Sequence, residues 1–234
     1  MALSEFSSVE SSPLGGLAIV RRLLLEPTHP ERLVVTPIAD RRQIGTSTID
    51  LRLGTEWEAS RSYRFQALDP AEDLVTATEL MQRGFDDFRL TAGQRHGVVL
   101  HPGELLLALT LEFLHLPHDL WGKLDGRSTW ARQGLQVHAT AGMVDAGFSG
   151  YLTLELQNTG PIPLVLYPGL RVAQMAFFPI RGTPYPYASK PGAAYPGQHR
   201  ARSRFVNQPE HEYRFLYVQQ EEQAERERCG TGLK

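Results

Sequence analysis

Residues 47–179 form a succession of short apolar segments: STIDLRLG, HGVVL, ELLLALTLEF, LWGKLD, LQVHAT, YLTLELQ, PLVLY and RVAQMAFFP. Gly, Pro or Asp/His turns separate them. Many short strands at close spacing, with only brief helical stretches and no strand–helix alternation, predict an all-β sandwich or barrel. Period two is clearest in YLTLELQ, where Leu152, Leu154 and Leu156 share one face and Tyr151, Thr153, Glu155 and Gln157 the other. Upstream, RLVVTPIAD reads as a strand stopped by Pro37. GGLAIVRRLLL, with Leu17, Ile19, Leu23, Leu24 and Leu25 around two arginines, suits a short amphipathic helix. Residues 70–90 read as a surface excursion with some helix.

The expected organisation is a flexible arm over residues 1–13, a β domain over 14–180, and a C-terminal arm and polar tail over 181–234. Residues 181–197 are rich in Pro, Gly and Tyr, a composition that cannot join a sheet interior. YVQQEEQAERER is polar all round. A formal net charge of −2 with 21% charged residues exerts no global pull toward nucleic acid, so any anion must be handled locally. The longest apolar runs are interrupted by Arg21, Arg22, Glu104 and Glu112, far short of the roughly 20 residues a membrane helix needs. No secretory signal pattern opens the chain, and a cytoplasmic location is expected.

Residues 124–157 concentrate polar groups in sheet-like sequence: Arg127, Ser128, Arg132, Asp145 and Glu155. Burying such groups is costly unless each meets a partner or a substrate. Gly126-Arg127-Ser128 opens STWARQG, a segment able to form two helical turns. That places Arg127, the Ser128 hydroxyl and Arg132 around a helix start, an arrangement suited to a polyphosphate and equally to a Ser-capped helix with surface arginines. Asp145 sits in a turn between Gly142 and Gly147. His101, His115 and His118 lie beside turns and read as surface residues rather than ligands, and Trp130 as a packing residue.

Taken together, STIDLRLG (47–54), HPGELLLALTLEFLHLP (101–117), DGRSTWARQGLQVHATAG (125–142), VDAGFSGYLTLELQN (144–158) and LYPGLRVAQMAFF (166–178) resemble the deoxycytidine triphosphate deaminases of the trimeric deoxyuridine-triphosphatase-like superfamily. The resemblance implies a distorted β-barrel or jelly roll and a homotrimer with active sites at subunit interfaces. It places Glu155, Ser128 and Arg132 in catalysis, and Arg127, Gln174, Tyr187 and Gln198 on the phosphates. By the same likeness Asp145 and Phe148 meet the sugar, and the backbone of Ala139, Thr140 and Ala141 meets the cytosine edge. His138 lies either near the nucleotide or at the trimer interface.

Magnesium is expected only with the substrate triphosphate. A zinc site of the nucleobase-deaminase type is not expected, because that site needs a Cys pair and Cys229 is the sole cysteine. Two departures stand out: Ala194 replaces the arm lysine, and Gly142-Met143 replaces the His-Arg of the deaminase-only subgroup. The second resembles the bifunctional subgroup, which goes on to form deoxyuridine monophosphate and pyrophosphate. Deamination alone, a non-catalytic deoxynucleotide-binding regulatory trimer, and direct hydrolysis of deoxyuridine triphosphate are the alternatives.

Overall fold

The computed structural model describes residues 12–60, 85–90, 97–182 and 189. Eleven strands carry the fold: β1 Val34–Thr36, β2 Ile49–Ser60, β3 Phe85–Arg89, β4 Val98–Leu100, β5 Leu105–His115, β6 Leu120–Gly126, β7 Leu135–Gln136, β8 Met143–Val144, β9 Ser149–Asn158, β10 Leu164–Leu166 and β11 Arg171–Pro179. Two helices accompany them among the described residues, α1 Gly16–Leu23 and the single turn α2 Ser128–Ala131. Nine strands join in one antiparallel sheet of order β7-β9-β5-β2-β11-β6-β8, with β1 on β5 and β3 on β2, while β10 and β4 form a separate ribbon. The protein is all-β, as its segment pattern predicts.

Strand β2 makes the sheet curl into a half-barrel. Its first residues pair with β11 and its later ones with β5, with the register shifting between Leu53 and Trp57. One strand thus serves two sectors of the sheet. Alternation then fills the concave side. Ile49, Leu51 and Leu53 from β2, Leu154 and Leu156 from β9, and Met175 and Phe177 from β11 are fully buried. Each such side chain contributes about 1.5–3 kcal/mol of hydrophobic stabilisation.

On the opposite face of β2, Arg52 and Glu112 form a buried ion pair at 2.9 Å. Gln43, from a 3-10 turn over Arg41–Gln43, closes the pair by donating to Glu112 Oε1 at 2.9 Å and accepting from the Arg52 guanidinium. The Arg52 backbone N–H bonds the second Glu112 oxygen at 2.8 Å. Burial pushes the Glu112 carboxyl above its usual range, although its bonds to Arg52 pull it down.

Three local expectations change. Only Ile19 of α1 is buried, with Leu23 packed beside it, while Leu17 and Leu24 are exposed. The end of the 70–90 excursion is strand β3, whose Phe88 stacks on Trp57; the remainder lies outside the described residues, as do residues 1–11 and most of 181–234. LQVHAT pairs as a strand only at Leu135–Gln136.

Candidate active site

Glu155 sits on the outer face of β9 because its neighbours Leu154 and Leu156 occupy the core face. After β7 the chain leaves ladder pairing but stays beside β9. The Glu155 backbone N–H donates to Val137 O at 3.0 Å, and Ala139 N–H donates to Glu155 Oε2 at 2.8 Å. Residues 139–141 are exposed, and the Leu124 N–H then fixes Gly142 O at 2.7 Å. This exposed ribbon is therefore pinned to β9 at one end and to β6 at the other.

His138 lies inside the same bend. A Cβ on Gly142 would stand 3.0 Å from its Cε1 and 3.1 Å from its Nε2, so the imidazole fills the space a side chain at 142 would need. Its Nδ1 is buried without a partner among the described residues.

Helix α2 is one turn rather than two. Gly134 ends the segment at φ +91°, where a Cβ would stand 2.3 Å from the Gly160 nitrogen, so this left-handed turn against Gly160 takes only glycine. Asn158 holds that neighbouring loop, accepting from Gly160 N–H at 2.9 Å and donating to Leu100 O and Ile162 O. The Ser128 and Arg132 side chains on the turn are exposed and have no polar partner among the described residues. Trp130 packs against the core.

Arg127 precedes the turn and is differently placed. Its Nε pairs with Asp50 Oδ1 at 3.3 Å and its Nη1 donates to Arg171 O at 3.3 Å. Arg171 in turn donates to Asp50 Oδ2 at 3.3 Å. Gln174, opposite both Asp50 and Asp125 in the ladder, donates to Gly126 O at 3.4 Å. Asp50 and Arg171 were not singled out in the sequence. For Asp50 the signal is the alternation in IDLRL, which sends Asp50 and Arg52 away from the face of Ile49, Leu51 and Leu53; no comparable pattern marks Arg171.

Asp145 opens the turn after β8, closed by Phe148 N–H on Asp145 O at 3.2 Å. Phe148 is 5% exposed and part of the core. Tyr187 and Gln198 lie outside the described residues. His101 and His118 are exposed and His115 half-buried, and no group of three or more His, Cys, Asp or Glu that could hold a metal ion occurs among the described residues.

A solved structure shares this β architecture. The 2′-deoxycytidine 5′-triphosphate deaminase from Agrobacterium tumefaciens superposes with a TM-score of 0.53 at 22% identity, over 72% of this chain and about half (48%) of that one. The fold is thus one that a deaminase of this type adopts. At the level of sequence, the profile of the dCTP deaminase-like family matches residues 20–180, and the chain belongs to that family. It is 39% identical over 174 residues to the dCTP deaminase of Pectobacterium atrosepticum, covering 73% of this chain and 88% of that one. It is 40% identical over 162 residues to the dUMP-forming dCTP deaminase of Parafrankia sp., covering 68% and 76%. The dUMP-forming enzyme of Nocardia farcinica is 38% identical over 169 residues, covering 71% and 80%.

Proposed function

We propose that this protein deaminates dCTP and cleaves the product to dUMP and pyrophosphate. The observation that carries the reading is the Glu155 carboxylate, held at Oε2 by the Ala139 N–H beside the exposed ribbon 139–141. One oxygen is anchored, and the other remains for water. Glu155 takes a proton from that water as it adds to C4 of cytosine, then delivers it to the amino nitrogen, so that dCTP and water give dUTP and ammonia. Ser128 and Arg132 orient the water and the substrate. Arg127 and Gln174 hold the triphosphate, with Tyr187 and Gln198 closing from the arm. His138 borders the base pocket, whose edge the backbone of residues 139–141 reads. Asp145 and Phe148 define the sugar site.

Magnesium enters as part of the substrate, on the phosphate oxygens. A second water, oriented by Asp145, attacks the α-phosphate and releases pyrophosphate. The glycine at 142, packed closely against the His138 ring, supports this second step, since it matches the subgroup that forms dUMP. Names borne by the Parafrankia and Nocardia relatives point the same way. A homotrimer with shared sites in the cytoplasm completes the proposal, and no helix among the described residues is long and apolar enough to cross a membrane.

Incubation with dCTP and magnesium, followed by phosphorus NMR of a single turnover, tests the reading. Expected products are dUMP, pyrophosphate and ammonia. A persistent β-phosphate signal from dUTP would mean deamination alone, and bound but unchanged dCTP would mean a nucleotide-binding regulator.

A further inference from the structure

Asp50 is an unexpected residue to find beside a triphosphate site. A carboxylate near a polyanion repels it, by about 1 kcal/mol per charge pair at 4 Å even in water. Yet its side chain is only 13% exposed and lies between two guanidinium groups, with Arg127 on Oδ1 and Arg171 on Oδ2, each at 3.3 Å. The two arginines are like charges brought together where β2, β11 and the end of β6 lie side by side, and without Asp50 they repel. Arg127 also donates to the Arg171 carbonyl, and Arg171 to the carbonyl of Arg42 at 3.3 Å, so both groups are tied on one side. For Arg127 this engages Nε and one Nη1 proton. The remaining Nη protons have no acceptor among the described residues.

We infer that Asp50 is a positioning residue for Arg127, fixing its guanidinium plane so that the free Nη edge meets phosphate in a two-point contact. The fork geometry of arginine rewards such fixing, because a planar bidentate contact is lost when the plane turns. The inference rests on the reading of Arg127 as a triphosphate contact. It assigns the Asp50 carboxylate an effect opposite to its charge: it strengthens anion binding.

That opposition makes the test decisive. Asp50→Asn keeps the side-chain shape and removes one negative charge. Coulomb's law alone predicts tighter binding of Mg·dCTP, whereas loss of positioning predicts a KM raised about ten-fold with kcat changed less. Inorganic tripolyphosphate, titrated calorimetrically, reads the same site without requiring turnover. In an Arg127→Ala background the Asn substitution has no further effect on either readout, because Asp50 acts through Arg127. Unchanged or tighter binding in Asp50→Asn, or full additivity with Arg127→Ala, overturns the inference. Should Asp50→Asn fail to fold, Asp50→Glu keeps the charge but displaces it by one methylene; it too must weaken tripolyphosphate binding, and normal binding overturns the inference. If Arg127→Ala alone leaves tripolyphosphate binding intact, it is the assignment of Arg127 to the phosphates that fails.

Discussion

The Ala139 N–H donates to Glu155 Oε2 at 2.8 Å, coupling the proposed general base directly to the ribbon proposed to read the base. Any movement of residues 139–141 therefore carries one carboxylate oxygen with it. Glu155→Gln keeps the oxygen that Ala139 needs but cannot accept a proton from water. Ammonia release is expected to fall by about 10²–10⁴-fold while dCTP binding persists. Near-normal turnover would remove Glu155 from the role of base.

Ser128 and Arg132, at the start and the C-cap of one helical turn, are exposed and have no polar partner among the described residues, so removing either leaves no buried group there unsatisfied. Ser128→Ala and Arg132→Ala should leave the melting temperature nearly unchanged while lowering kcat and raising KM together. A rise in KM alone would make them phosphate clamps with no part in the chemical step.

Gly134→Ala is expected to be severely destabilising. The residue holds φ +91°, and an added Cβ would fall 2.3 Å from the Gly160 nitrogen, a backbone atom that cannot step aside cheaply. The left-handed backbone alone costs about 1–3 kcal/mol for a non-glycine residue. Denaturant unfolding should show a lowered midpoint, and a midpoint equal to that of the native protein would contradict the described contact between the two loops.

A milder steric change is available at Gly142, whose φ needs no special residue. Alanine there must push the His138 ring away from a Cβ only 3.0 Å distant, at a cost of about 1–3 kcal/mol. Because Gly142 O anchors the ribbon to Leu124, the effect is expected in kcat/KM for dCTP as well as in stability. The histidine ring resonances of His138 should shift in the variant, and unshifted resonances would mean the ring does not fill this space.

Glu112 supplies a pH prediction. Burial raises its folded-state pKa above the ordinary 4.5, so between the two values the folded protein holds a proton that the unfolded chain has released. Its contribution to stability is full below 4.5 and is lost as pH rises through the folded value. Glu112→Gln removes this titration. The melting temperature of the native protein should therefore decline relative to that of the variant as pH rises above 4.5. A gap that is constant or moves the other way would show that Arg52 dominates over burial.

The sheet was legible because period two marks it directly. Leu152, Leu154 and Leu156 alternate with Glu155 and its neighbours in the sequence as they do in β9. Pro37 marks the end of β1 just as plainly. What escaped depends on contacts between residues far apart in the chain. Asp50 meets Arg127 across 77 positions and Arg171 across 121, and no local pattern records either pairing. Glu112 looked like an interruption in an apolar run because its partners, Arg52 and Gln43, arrive from another strand and a 3-10 turn. STWARQG has the composition for two helical turns yet forms one, because the chain turns left-handed at Gly134 against Gly160, a residue held by Asn158 outside the segment. Past Gln136, Val137 O still accepts from the Glu155 backbone N–H, but the Ala139 N–H turns to the Glu155 carboxylate, a bond that no local pattern in LQVHAT records.

Over its ten residues strand β9 alternates between a face buried in the core and an outer face that carries Glu155, the proposed general base. The two are locked to a common phase. A single residue gained or lost before Glu155 would turn the leucines outward and drive the carboxylate into the apolar interior, so neither face can be altered in length without destroying the other. Lengthening the loops that flank the strand leaves this phase intact, whereas an insertion within β9 upstream of Glu155 breaks it.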